Sequence, residues 1–285
     1  MPELPEVETI AQDLNKSLVG LSVKEIKILG GHKVVKTPLV SLRKILYKKK
    51  LKRVFRRAKM VVFDFDKHYL LVHLKMTGQL IYLSGRSLVA GGHPIISTGV
   101  QVPNKHTVLE ITLNKGKLYF NDVRKFGWLK LLDKNEFIEL DKRTGQEPLE
   151  QGFTLSFFAA ILKRRAGLNI KAALLEQKHF VGIGNIYADE ILFKAKVKPA
   201  RKVASLAKEE IKKIYQATVY ILRLSIKHRG TTFRDYTDAA GLKGKFINYL
   251  KVYGRSGLEC RQCSAKILKD KVAGRGTHWC DNCQK

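Results

Sequence analysis

Acidic residues are scarce in this chain. Aspartate and glutamate together number 25 against 54 lysines and arginines, leaving a formal net charge of +29. Between Arg43 and Lys59 there are ten basic residues and no acid. Self-repulsion on that scale disfavours close packing against a second copy and favours a polyanionic partner. Nucleic acid is the leading reading, ahead of an anionic membrane surface or the ribosome. Apolar runs are short as well. None approaches the length of a membrane span, and the N-terminus lacks the basic-then-apolar pattern of a secretory signal. A soluble, cytoplasmic protein with no membrane partner is expected. Internal repeats and low-complexity tracts are absent. Cysteine is confined to four residues, all in the tail that begins at Tyr253.

What is present suffices for two domains with cores of their own in 285 residues. Val7, Ile10, Ala11, Leu14 and Leu18 recur at helical spacing, and Gly20 suits the stop. Strand-like segments follow at Val23–Leu29, Lys52–Asp66, Tyr69–Leu83, Val108–Leu113, Lys117–Asn121 and Trp128–Leu132, with turns at 66–68 and 114–116. Gly85–Pro103 is polar and glycine-rich and reads as a loop. Residues 1–133 therefore form a β-rich domain capped by one helix, and 134–152 a linker. Helical periodicity over Leu155–Lys163, Lys171–Gln177, Ile186–Lys194 and Ala204–His228 makes 153–250 a helical domain.

The tail, 251–285, carries Cys260-x2-Cys263 and, after sixteen intervening residues, Cys280-x2-Cys283. That is the spacing of a four-cysteine zinc site, two knuckles joined by a hairpin. A pair of disulfides is the alternative, disfavoured in a reducing compartment. Four thiolates close the coordination shell, so one structural zinc is expected. The hairpin holds Arg275 between Gly274 and Gly276, a residue that either reaches a backbone phosphate or is simply solvated.

Two further stretches carry chemistry. Removal of Met1 makes Pro2 a free secondary amine, titrating well below a lysine and able to attack a carbonyl or a sugar C1′ to give an iminium, with Glu3 placed to move protons. The plainer reading of Pro5, Glu6 and Glu8 is an ordinary helix start. Val181-Gly182-Ile183-Gly184-Asn185 feeds a helix N-terminus that suits a phosphate, or is an ordinary asparagine cap.

These pieces together resemble the formamidopyrimidine-DNA glycosylase family, bifunctional 8-oxoguanine DNA glycosylases and abasic-site lyases. The resemblance spans the chain. It is carried by Pro2–Glu8, Arg56-Arg-Ala-Lys59, His73-Leu-Lys-Met76, Asn121-Asp-Val-Arg124-Lys-Phe126-Gly127, Val181–Glu190, Gly230–Asp235, Val252-Tyr-Gly-Arg255 and the cysteine quartet. It implies an α+β multidomain fold: an N-terminal antiparallel β-sandwich with a flanking helix, a helical domain with a helix–two-turns–helix element, and a zinc-finger β-hairpin. Damaged double-stranded DNA would lie in the cleft between domains. No organic cofactor is implied, and the protein would be a monomer. Pro2 would expel the oxidised purine and Glu3 would transfer protons. Lys59 is implied in β-elimination, and Arg275 in phosphate binding and δ-elimination. Met76, Arg124 and Phe126 match residues that fill the void left by the everted base, although Met76 and Phe126 read locally as core. His106, Arg165 and Asn185 match DNA-backbone contacts, Lys171 is a further phosphate ligand, and Thr231–Tyr236 resembles the start of a loop that closes over the everted base.

Lys59, in strand register with Phe55, Val61, Phe63 and Phe65, is either a site lysine or a snorkelling surface one. Lys75 stands where the family usually has glycine, Val123 where it has proline, Lys125 where a second arginine is common, and Lys245 where a tyrosine is usual. None touches Pro2 or Glu3. Two rivals are the endonuclease VIII branch, which favours oxidised pyrimidines and usually has glycine in place of Leu4, and a non-catalytic zinc-ribbon nucleic-acid binder.

Overall fold

The N-terminal helix is the first element whose sequence and burial agree. In this computed structural model, which describes residues 1–85, 87–92, 101–231 and 244–285, α1 runs over Leu4–Leu18. Its apolar stripe, Val7, Ile10, Ala11, Leu14 and Leu18, is wholly buried. Pro5 sits in the first turn, where its missing N–H costs nothing.

Two units separate along the chain. The first comprises Met1–Lys142 and His228–Ile247, the second Arg143–Lys227 and Asn248–Lys285. The first holds β1 (Val23–Ile28), α2 (Leu39–Leu46), β2 (Arg53–Arg57), β3 (Met60–Asp64), β4 (His68–His73), β5 (Gly78–Ser84), β6 (Ser87–Gly92), β7 (Thr107–Leu113), β8 (Lys117–Asp122), β9 (Trp128–Asp133) and α3 (Lys134–Arg143, whose last residue begins the second unit). All pairings are antiparallel, in sheets ordered β1-β7-β8-β5-β6 and β2-β3-β4-β9. Alternate residues of both sheets, among them Ile26, Leu80, Leu109 and Phe120 from one and Val61, Phe63, Val72 and Leu131 from the other, share one core with α1 and α2. That is a β-sandwich with its flanking helix. The outer face of the four-stranded sheet (Met60, Val62, Tyr69, Leu71) is covered by Phe137 and Leu140 of α3.

Several expectations change. The segment 52–66 is a hairpin, not one strand: Arg57 pairs with Met60, and Ala58 takes a positive φ of 52° in the two-residue turn. Lys59 therefore lies in a turn. Phe55 faces the outer cluster while Val61, Phe63 and Phe65 face the core, so the four do not share one face. The segment 69–83 is likewise broken after His73. The expected loop at 85–103 contains β6, which pairs along β5 from Gln79↔Gly92 to Ser84↔Ser87. The expected linker contains α3. Residues 228–247, expected with the helical domain, group with the first unit through hydrogen bonds described below.

The second unit contains α4 (Leu155–Lys163), α5 (Ile170–Leu175), α6 (Asn185–Ala195), α7 (Lys208–Lys227), β10 (Leu268–Val272) and β11 (Arg275–Trp279). Thr154 and Asn169 cap α4 and α5, accepting the Phe157 and Ala172 N–H groups at 3.1 and 2.7 Å. Between α5 and α6 the chain makes two turns. Glu176 O accepts the N–H groups of His179 and Phe180, and the Gln177 amide then accepts from Gly182 and donates to Ile183. This is the helix–two-turns–helix. Phe153, Phe158, Phe180 and Tyr215 pack around it, with ring centroids 5.0 to 6.1 Å apart. Among the described residues no helix is long and apolar enough to cross a membrane.

Candidate active site and nucleic-acid interface

Pro2 and Glu3 are both buried at the head of α1. Glu3 is the N-cap, and its N–H donates to Glu6 Oε2 at 2.9 Å in a capping box. The other oxygen of Glu6 accepts the Thr231 N–H at 2.7 Å. Gly230 precedes that contact with φ +77°, and a Cβ there would meet Glu6 Oε1 at 2.7 Å. Lys245 and Phe246 donate to His228 O and Gly230 O, and Arg229 pairs with Asp13. These bonds hold residues 228–231 to α1 and residues 245–246 to 228–230. Of the expected loop start at 231–236, only Thr231 lies within the described residues.

The amine at this end sits in an environment that favours its neutral form. Burial lowers the pKa of the Met1 amine below the ordinary 8.0, the positive charge of Lys59 acts the same way, and Glu3 and Glu6 oppose. Lys59 is only 6 % exposed. His73, at the end of β4, has its pKa lowered to about 3 by burial, then by Lys75 and Lys59. Its Nδ1 accepts the Lys75 N–H at 3.1 Å, so the neutral ring carries its proton on Nε2. Sequence reasoning quoted His73 within a motif but assigned it no role. Its signal is electrostatic and follows from burial.

Two adjacent loops present the residues read as void-filling. Met76 lies between β4 and β5, and Arg124 and Phe126 lie between β8 and β9. Met76 and Phe126 are 46 % and 56 % exposed, which removes the core reading. The Arg124 guanidinium lies 4.5 Å from the Phe126 ring centroid. Buried Asp122 ties the loops together: it accepts from the Thr77 hydroxyl, from Gly127 N–H at 2.6 Å and from Arg124 N–H at 3.2 Å. Lys75 and Lys125 take φ of 50° and 54°, the left-handed region where glycine is least strained. His106 is half-buried at the entry to β7, its N–H held by Asn104 Oδ1.

In the second unit, Arg275 is exposed at the tip of the β10–β11 hairpin, where Val272 pairs with Arg275 across Ala273-Gly274. The hairpin is fastened from behind. Lys171 Nζ donates to Thr277 Oγ1 at 2.8 Å and Gly276 O at 3.2 Å, and lies 2.7 Å from Asp189. Asp189 in turn accepts the His278 N–H at 2.9 Å. Lys171 is fully buried, so its reading as a phosphate ligand is corrected: its charge is matched inside the fold. Asn185 is not a cap either. Gly184 is the N-cap, and the Asn185 amide donates to Gly276 O at 2.8 Å. Arg165 follows α4 and is paired with Glu176 at 2.7 Å, facing His179. Glu190, quoted in the sequence only within a motif, accepts three consecutive N–H groups, those of Lys251, Val252 and Tyr253.

The four cysteine Sγ atoms lie within 4.8 Å of one another, with Cys260–Cys283 at 3.8 Å and Cys263–Cys280 at 3.5 Å. A tetrahedral zinc with bonds near 2.3 Å needs sulfurs about 3.8 Å apart, so the set fits one structural ion.

The sequence matches three domain families in order: the formamidopyrimidine-DNA glycosylase N-terminal domain over residues 1–129, the formamidopyrimidine-DNA glycosylase H2TH domain over 144–237, and a zinc finger found in FPG and IleRS over 257–285. The chain belongs to the formamidopyrimidine-DNA glycosylase family. It is 41 % identical over its whole length to the formamidopyrimidine-DNA glycosylase of Herpetosiphon aurantiacus, and all of that protein is covered. It is 39 % identical to that of Pelotomaculum thermopropionicum, covering 100 % of this chain and 99 % of the other. Among solved structures, the Lactococcus lactis Fpg bound to DNA containing N7-benzyl-Fapy-dG matches with a TM-score of 0.87 and 35 % identity, covering both chains fully. A complex between the LlFpg protein, a THF-DNA and an inhibitor matches equally well, with a TM-score of 0.87 and 35 % identity over both whole chains. The glycosylase family thus spans every element described above, and the cysteine quartet coincides with its zinc finger.

Proposed function

We propose that this chain is a bifunctional DNA glycosylase and abasic-site lyase that excises oxidised purines, 8-oxoguanine and formamidopyrimidines, from damaged duplex DNA. The observation that carries the reading is the head of α1, where a buried Pro-Glu pair shares its surroundings with buried Lys59, and where burial lowers the pKa of the chain's terminal amine. With Met1 removed, the Pro2 nitrogen forms a bond to C1′ as the bond from C1′ to the base breaks, and the base leaves with that electron pair and a proton. Opening of the sugar then gives the iminium, an electron sink that acidifies the C2′ proton. Glu3 is the acid and base for these transfers. Loss of the C2′ proton expels the 3′ phosphate, and a second elimination expels the 5′ phosphate. Lys59 assists the first elimination and Arg275 holds phosphate for the second. Met76, Arg124 and Phe126 fill the vacated stack, and His106, Arg165 and Asn185 are assigned to the DNA backbone. We read the protein as a cytoplasmic monomer that needs no organic cofactor; self-repulsion at +29 supports the monomer.

Borohydride trapping tests the reading, using protein shown by mass to begin at Pro2. The duplexes hold 8-oxoguanine opposite cytosine, dihydrouracil, or no damage. The expected result is an adduct on the 8-oxoguanine duplex whose peptide maps to Pro2. Preferential trapping on dihydrouracil would reassign the chain to the pyrimidine branch, and no adduct on any duplex would leave a binding module.

A further inference from the structure

The acid-free stretch 43–59 divides into two ends of different character once folded. At the β2 end the arginines are matched by acids from elsewhere in the unit. Arg53 lies 3.0 Å from Asp64, Arg56 lies 2.8 Å from Glu8, and Arg57 pairs with Asp141. Lys59 is buried in the turn beyond them. At the other end Lys48, Lys49, Lys50 and Lys52 are all exposed, and none forms an ion pair among the described residues. Lys48 only rests over the Tyr47 ring, 5.2 Å from its centroid.

Backbone bonds place these lysines. Gly20 N–H donates to Leu51 O at 2.9 Å, Leu51 N–H to Leu21 O at 2.8 Å, Val23 N–H to Lys49 O at 3.1 Å and Lys48 N–H to Val23 O at 2.8 Å. The four lysines therefore gather at the C-terminal end of α1, whereas Pro2 precedes its N-terminal end. A 15-residue helix spans about 22 Å. Exposed Lys16, in the last turn of α1, and exposed Lys24, on β1, extend the same surface. The neighbouring acid, Glu25, is already paired with Lys27 at 3.0 Å. Uncompensated charge thus sits at the end of the helix away from the nucleophile.

We propose that Lys48, Lys49, Lys50 and Lys52, with Lys16 and Lys24, form a second phosphate-backbone surface. It holds a duplex segment other than the one at Pro2 and lets the protein pass directly from duplex to duplex. The proposal rests on the reading of this chain as a DNA enzyme. Flexible ammonium groups suit the part, because they neutralise phosphates as point charges without reading sequence or fixing a planar geometry. Their independence of the nucleophile means that this segment need carry no lesion.

Stopped-flow transfer tests it. Protein bound to a fluorescein-labelled undamaged duplex is mixed with rising concentrations of unlabelled duplex. The wild type is compared with a variant carrying Lys48→Gln, Lys49→Gln, Lys50→Gln and Lys52→Gln, and melting curves check that the variant is folded. The wild-type transfer rate is expected to rise with competitor concentration. In the variant it should become independent of competitor, while trapping on the 8-oxoguanine duplex is unchanged. Competitor-dependent transfer that survives in the variant, or is absent from the wild type, overturns the proposal. Lysine-dependent transfer by a protein that traps no lesion duplex would overturn the reading of the activity and leave the second surface standing.

Discussion

In the proposed mechanism Glu3 meets two demands with one carboxylate: it takes part in the capping box of α1 and it would serve the amine beside it. Glutamine keeps an acceptor oxygen for the cap and removes the proton transfer. Glu3→Gln is therefore expected to bind an 8-oxoguanine duplex as the wild type does while excision falls by roughly a hundredfold or more. Equal loss of binding and excision, measured by gel shift and single-turnover cleavage, would count against the proton-transfer role. His73 makes a second residue-scale prediction. With its folded pKa near 3, the ring stays neutral while the unfolded chain protonates below about 6.5. Folding stability linked to this residue is thus present above pH 6.5 and drains away as pH falls toward 3. Its ring-carbon NMR shift should be flat between pH 8 and 5, and a normal titration midpoint near 6.5 would refute the assignment. Pro2 and Glu3 were legible as candidates from their position alone. His73 was not, because its neutrality comes from burial and from lysines brought to it by two different turns.

Helices and strands were legible where one face is apolar and turns announce themselves. α1 and α4 were found by their buried stripes. α3 was not, since Phe137, Ile138 and Leu140 are its only apolar residues and none is fully buried. The breaks at Ala58 and Lys75 were missed for another reason: both are non-glycine residues in left-handed turns, so nothing in composition marks them. β6 needed its partner, because Ser87–Gly92 is a strand only by pairing with β5. Lys171 shows the same limit at the site. As one lysine among many it reads as a surface cation, but folding makes it the buried tie between helix α5, Asp189 of α6 and the Arg275 hairpin. Lys171→Met is expected to destabilise the second unit by about 3–5 kcal/mol, because Asp189 is left with an unmatched buried charge. Chemical denaturation checks this, and adding Asp189→Leu should recover part of the loss. A neutral single substitution would show that the pair carries little.

For the molecule as a whole, charge and zinc dominate the expected behaviour. Affinity for undamaged duplex should fall steeply with salt, by about 0.9 in the log–log slope for each phosphate neutralised. A flat response by titration at several salt concentrations would argue against phosphate contacts. Chelating zinc should abolish DNA binding by disordering the hairpin that presents Arg275, since four thiolates crowded within 4.8 Å need a cation between them. Zinc-free, folded protein that binds normally would remove that account. The sequence by itself determined the polyanionic partner, the zinc quartet and the family, because each is written in local order, spacing or summed charge. Only the tertiary structure decided which basic residues are free. Arg56, Arg57, Arg165 and Lys171 meet acids from other segments, while Lys48, Lys49, Lys50 and Lys52 meet none among the described residues. Whether a charge is neutralised depends on what folding brings within a few ångströms, and the linear chain does not hold that distance.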